Sequence, residues 1–178
     1  MEFEESIQVF VTGGTFDKTY DHIKGTLNFQ KTHLPQMLVR SKCRLDVDVK
    51  TLMLLDSLEM TATHFETIIK ACETCKKNKI VITHGTDCMV DTAKKIAEEA
   101  IGIQNKTIIL TGAMIPYTFG SSSDGFFNLG SAMAYVRVLD PGVYVAMNGM
   151  LFNWDEVKKN KTKGVFEQIK PTNPEHKN

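Results

Sequence analysis

Two short runs hold residue types suited to nucleophilic chemistry. Thr15 closes Thr12-Gly13-Gly14-Thr15, and Thr86 lies inside His84-Gly85-Thr86-Asp87. A threonine hydroxyl attacks a carbonyl once a base removes its proton, and a neutral lysine is one such base. Glycines next to the hydroxyl let the main chain turn sharply and let a second group come close. They also turn backbone N–H groups outward, where these can receive an anion or an oxyanion. Asp87 adds a carboxylate, Ser57 a third hydroxyl, and Lys158, Lys159, Lys161 and Lys163 a late cluster of amines. Taken singly, each has a plainer reading. A threonine after Gly-Gly is an ordinary turn former, a Thr-Asp pair before a helix is an ordinary cap, and a lysine cluster is usually solvated surface.

The elements around these runs bring them together. Ile7, Val9 and Val11 alternate with Gln8 and Phe10, a strand that runs into the glycine pair. Val47 to Leu55 predicts a second strand, ending at Asp56-Ser57. A helix follows over Ala62–Lys76, with His64, Phe65, Ile68, Ile69 and Cys72 at helical spacing. Lys79–Thr83 and Thr107–Thr111 read as buried strands of a parallel sheet. The helices Met89–Ala100 and about Phe126–Leu139 follow them, and Val143–Asn148 is a further strand. This alternation predicts an α/β fold with a mostly parallel sheet and helices on both faces. The strand ends then share one edge, so Thr15, Ser57, Thr86-Asp87 and Ala113 converge on one crevice. Asp17–Pro35 reads as a long mobile lid loop, with a short helix or turn from Leu34 to Leu38. Gly149 onward suggests a strand pair, residues 1–170 one domain, and residues 171–178 a disordered tail.

At 178 residues with 21 Lys+Arg against 21 Asp+Glu, the chain carries no net field that would draw nucleic acid or an acidic membrane. No apolar run approaches the ~18 residues of a membrane span. The acidic start, Met1-Glu-Phe-Glu-Glu-Ser6, has the wrong sign for a signal peptide. A soluble, cytoplasmic protein is expected. Cys72 and Cys75 form a CxxC without a second ligand pair and read as reduced helix thiols. There is no Walker motif or Gly-x-Gly-x-x-Gly for a nucleotide, and no Gly-x-Ser-x-Gly elbow to pair Ser121–Ser123 with His84. No metal or cofactor is expected.

Together, Thr12–Thr15 and His84–Asp87 resemble the two signature motifs of bacterial-type L-asparaginases. The resemblance continues through Thr111-Gly-Ala-Met114, Ser123-Asp-Gly-Phe-Phe-Asn-Leu129 and Asp155-Glu-Val-Lys-Lys-Asn160. It covers nearly the whole chain but only the amino-terminal domain of the family. It implies a Rossmann-like or flavodoxin-like three-layer fold. By position, Thr15 matches the nucleophile, Thr86 a second catalytic threonine, and Asp87 and Lys158 its partners. Ser57 matches the serine that holds the substrate carboxylate; Gly14, Gly85 and Ala113 match backbone contacts to the substrate. The implied activity is hydrolysis of a side-chain amide, of asparagine or a related compound, through a threonine acyl-enzyme, in a homo-oligomer. The sequence departs from the family at three places: Phe29 stands where the lid carries a tyrosine, with Tyr20 the nearest substitute; Leu58 stands where a glutamine often contacts the substrate amine; and Cys88 stands where threonine is usual. These departures leave a second reading, a non-catalytic module that binds a small acid or amide or a protein partner.

Overall fold

The computed structural model describes residues 6–169; the tail expected over 171–178 and the acidic first five residues lie outside them. Strand β1 (Ile7–Gly13) is followed by β2 (Lys18–Asp21), β3 (Thr26–Phe29), α1 (Leu34–Arg40) and β4 (Val47–Leu55). Then come α2 (Ala62–Thr74), β5 (Lys79–Thr83), α3 (Met89–Glu99), β6 (Thr107–Thr111) and α4 (Gly125–Val138). Strands β7 (Gly142–Met147), β8 (Met150–Asn153), β9 (Val157–Asn160) and β10 (Val165–Gln168) complete the described chain.

The main sheet has the order β4-β1-β5-β6-β7-β8. Its first five strands are parallel, and β8 closes the edge antiparallel to β7. From β1 the chain steps to β4 on one side, then crosses back to β5 on the other. The strand order therefore reverses between β1 and β5, and the crevice at that reversal is where open α/β sheets bind ligands. Thr15 follows β1 and Thr86 follows β5, so both hydroxyl-bearing turns flank the reversal point.

Period-two alternation builds the two faces. Phe10, Ile80, Ile82, Ile108 and Leu110 pack with Ile68, Cys72, Met89 and Ile96 of α2 and α3. Ile7, Val9, Val11, Val81 and Ile109 pack on the other face with Leu34, Met37, Leu129 and Val136 of α1 and α4. The predicted strands and helices of this core match the structure to within two residues at each end. Cys72 is buried, and burial pushes its thiol up to about 12; Cys75 is also a free thiol.

The lid differs from expectation. Instead of a structureless loop, β2 and β3 pair as an antiparallel hairpin. Its turn closes where Asp21 Oδ1 accepts from the N–H groups of Ile23 and Lys24, at 3.0 and 3.2 Å, and Gly25 takes a φ of 65°. Two four-residue strands with mostly polar side chains carry too little apolar alternation to be read from sequence. The hairpin is tied at its base: Lys18 Nζ pairs with Asp56 Oδ2, and Thr118 Oγ1 donates to Lys18 O at 3.1 Å. Phe29 lies under the Lys18 ammonium, its ring centre 5.8 Å from Nζ.

Asp17, just before the hairpin, is fully buried. Its Oδ1 accepts from Thr32 Oγ1 at 3.0 Å and His33 N at 2.8 Å, while Oδ2 is buried without a partner. Burial outweighs both hydrogen bonds and raises this carboxyl from 3.8 to about 6. The folded chain therefore binds more protons than the unfolded chain between those values. Asp17 favours folding most below about pH 3.8, and that advantage is lost as pH rises through about 6. The resulting cost at neutral pH is on the order of 3 kcal/mol. Asp17→Asn keeps an Oδ1 acceptor and removes the titration. The variant is expected to outlast wild type in urea at pH 7.5, with the advantage shrinking toward pH 4. An advantage that does not change with pH would contradict this account.

Candidate active site

The site is built from strand ends that approach closer than side chains permit. Gly13 and Gly14 have φ of 97° and 73°, so β1 leaves the sheet in a turn that only glycine takes easily. A Cβ on Gly14 would lie 2.4 Å from the Cα and N of Gly85. A Cβ on Gly85 would lie 2.5 Å from Ser57 Oγ. The turns after β1, β5 and β4 are thus stacked in contact, with Thr15, Thr86 and Ser57 carried at one place. The Gly14 N–H, expected to face a substrate, instead donates to Leu55 O at 2.9 Å. Its contribution is close approach rather than anion binding. The N–H groups of Gly85 and Thr86 make no hydrogen bond among the described residues, and neither does the Thr15 hydroxyl.

Thr86 is nearly buried and carries the densest polar contact. Lys159 Nζ donates to Thr86 Oγ1 at 2.8 Å and to Asp87 Oδ1 at 2.7 Å. The lysine side chain is 13% exposed and the aspartate 34%. The lysine that reaches Thr86 is therefore Lys159 and not Lys158, the residue expected from the motif. The reason is the strand period. On β9, Val157 is buried and Lys159 points the same way, while Lys158 faces outward, is exposed, and stands opposite Glu167 of β10. With four residues and two adjacent lysines, β9 carries too little alternation for its phase to be read from sequence.

Supporting groups fix these turns. His84 is buried; its Nδ1 lies 2.8 Å from Gly85 O and its Nε2 lies 2.9 Å from Thr92 Oγ1. A carbonyl only accepts, so Nδ1 carries the proton. Burial lowers the ring to about 4 despite that hydrogen bond, which keeps it neutral and makes it a structural tie rather than a base. Ala113 is buried in the turn after β6. That turn is held from α4: Asn128 Nδ2 donates to Gly112 O at 2.8 Å, and Asp124 accepts from the N–H groups of Met114 and Ile115, each at 3.0 Å to Oδ1. The i,i+4 spacing of Asp124 and Asn128 puts both on one helix face, a pattern legible in the sequence but unassigned by it.

The rim carries alternating charge. Asp56 caps the turn that begins with Ser57, its Oδ1 accepting from Leu58 N at 3.1 Å. The Lys18 hydrogen bond, more than its partial burial, sets this carboxyl below the usual range, with Lys18 and Lys159 adding attraction. Leu58 itself is 67% exposed. Burial, more than the Asp91 carboxylate, pushes the Cys88 thiol above its ordinary value, with the neighbouring Ser57 side chain opposing, so it sits there as a neutral group. Tyr20 is exposed on the hairpin. Among the described residues, no group of three or more His, Cys, Asp or Glu side chains could hold a metal ion. No helix among them is long and apolar enough to cross a membrane.

Comparison with known proteins gives one answer. A family model described as "Asparaginase, N-terminal" matches residues 6–172. The chain is 30% identical over 137 residues to an L-asparaginase of Thermococcus kodakarensis, covering 74% of this chain and 40% of that protein. It is 40% identical over 85 residues to a glutaminase-asparaginase of Acinetobacter glutaminasificans, covering 46% and 25%. Among solved structures, the thermostable L-asparaginase from T. kodakarensis superposes with a TM-score of 0.78 at 27% identity, covering 92% of this chain and 51% of that one. L-asparaginase I from Vibrio cholerae gives a TM-score of 0.81 at 23% identity, a likeness of fold, over 93% and 52%. The chain thus spans about half the length of these solved relatives.

Proposed function

The chain belongs to the asparaginase family through its amino-terminal domain, and from that premise we propose that it hydrolyses a side-chain amide, of asparagine or a close relative, with release of ammonia. The observation that carries this reading is the Lys159 contact to both Thr86 and Asp87, set against the Gly14–Gly85 junction that brings in the turn of Thr15. In the proposed course, the Thr15 hydroxyl attacks the amide carbon. Its proton passes to Thr86 Oγ1 as Thr86 hands its own to the Lys159 amine in its neutral form, and the ammonium so formed returns it by the same route to the leaving nitrogen. Water then hydrolyses the threonine ester by the same route. Once protonated, Lys159 is the donor to Thr86 Oγ1, and Asp87 holds the ammonium in place. The N–H groups of Gly85 and Thr86, without a partner among the described residues, are suited to receive the substrate oxyanion, commonly the largest contribution in acyl transfer. Ser57 and the backbone at Ala113 are the proposed substrate contacts. Lys158 takes no part.

The relatives are named for asparagine and, in one case, glutamine; a small amide is the proposed substrate here. We further propose a cytoplasmic homo-oligomer, a compartment in keeping with the buried free thiol of Cys72. Ammonia release from asparagine, glutamine and an Asn-containing peptide tests the enzyme reading. Wild type is expected to turn over at least one of them, and Thr15→Ala to fall to background while remaining folded by circular dichroism. Absence of wild-type turnover on all three, with tight binding of one retained, would favour the non-catalytic module instead.

A further inference from the structure

Helix α4 is apolar around almost its whole circumference, from Phe126-Phe127 through Leu129, Ala132-Met133-Ala134 and Val136 to Val138. Such a helix is expected to be covered on both sides. One side meets the sheet; the other is open, with Phe127 62% and Val138 78% exposed. Beside that open stripe, between it and the sheet, Phe126, Gly130, Ala134 and Arg137 recur at helical spacing and form one wall of a cleft. The facing wall runs from Leu38, in the last turn of α1, to Leu45 in the segment that leads to β4.

The cleft has a volume of about 400 Å³, within the range of small-molecule sites. Its floor is Leu38, Leu45, Leu129 and Met133, and its rim carries Lys42, Arg44 and Arg137. None of these three side chains has an ion pair or hydrogen bond among the described residues. Lys42 is held there by an unusual backbone: it takes a φ of 52°, and Cys43 N donates to Leu38 O at 3.0 Å to close the end of α1. Glycine is the ordinary residue at such a helix end; here a lysine accepts the strain and presents its charge at the rim. The α4 wall is open at Gly130, since a Cβ there would meet nothing within 4 Å. In a chain with no net charge, three unpaired cations over an apolar floor select a ligand with an apolar body and one anionic head.

We propose that this cleft binds a free amphipathic organic acid, such as a medium-chain carboxylate, at a site separate from the one that holds Thr15 and Thr86. The apolar body lies along Leu129, Gly130 and Met133, and the head meets Lys42, Arg44 and Arg137. The proposal stands independently of the amidohydrolase reading.

Calorimetric titration of the full chain with sodium decanoate, below its micelle concentration, tests it. Saturable one-to-one binding is expected, at least tenfold tighter than decanol or decyltrimethylammonium. Arg44→Gln combined with Arg137→Gln is expected to weaken it at least tenfold, and Lys163→Gln to leave it unchanged. Gly130→Leu fills the cleft and replaces a helix-interior glycine with a better helix former, so it should abolish binding without lowering the melting temperature. Lys42→Gly should raise the melting temperature while weakening binding. Absence of saturable binding, equal affinity for decanol, or undiminished binding by Gly130→Leu would each overturn the proposal. So would a concentration-dependent dimer in sedimentation that Gly130→Leu dissociates while decanoate fails to bind, since the cleft would then be a contact between copies.

Discussion

Lys159→Met is expected to lower kcat/KM for amide hydrolysis by about 10²–10⁴-fold, the usual loss when a positioned proton-transfer group is removed, while Lys158→Met stays within about threefold of wild type. The two lysines are adjacent in sequence and identical in chemistry, so only the strand period separates them. Lys159 shares the inward face of β9 with buried Val157 and reaches Thr86 and Asp87. Lys158 faces Glu167 in the exposed hairpin. Methionine keeps the length and most of the apolar stem, so the comparison isolates the amine. The Lys159–Asp87 pair is partly exposed, and such pairs contribute little to stability. Both variants should therefore melt within a few degrees of wild type, and the loss at Lys159 should appear in turnover. Ammonia release under matched conditions decides it. Equal losses, or a larger loss at Lys158, would remove the geometric basis for the proposed proton path.

The same pair of lysines shows where the sequence stops being legible. The sheet core was readable because its signal is local: Lys79–Thr83 and Thr107–Thr111 are continuous apolar runs, and each was placed to the residue. The convergence of Thr15, Ser57 and Thr86 was readable too, because a parallel sheet puts strand ends on one edge. What local signal could not supply was the phase of β9, a four-residue strand bearing two lysines, outside the main sheet and paired only with β10. The use of individual backbone donors was likewise hidden: Gly14 looks available to a substrate until Leu55 O is found beneath its N–H. The lid hairpin was missed for a related reason, since its register depends on Asp21 and Gly25 rather than on an apolar face. Asp124 and Asn128 hold the Ala113 turn across sixteen residues or fewer, yet their carbonyl and amide partners carry no side-chain signature.

Gly14→Ala is expected to cost about 3–5 kcal/mol of folding stability, combining backbone strain with overpacking. Gly14 has φ 73° and ψ −176°, a region essentially reserved for glycine. In addition, its Cβ would lie 2.4 Å from the backbone of Gly85, and backbone cannot rotate out of the way as a side chain can. Gly102→Ala separates the two contributions. Gly102 also has a positive φ, 75°, but nothing lies within 4 Å of its added Cβ, so it should cost only about 1–2 kcal/mol. Urea denaturation of the two variants should therefore differ by about 2 kcal/mol or more; equal losses would mean that the turns after β1 and β5 are not in contact. A folded fraction of Gly14→Ala carries a second consequence. The added methyl can be accommodated only by parting the turn of Thr15 from that of Thr86, and a displacement of about 1 Å between reacting groups can cost about 10²-fold in rate. Gly102→Ala, remote from the junction, should keep wild-type turnover per folded molecule. The junction of two glycines thus fixes both the stability of this edge of the sheet and the distance between the two hydroxyls.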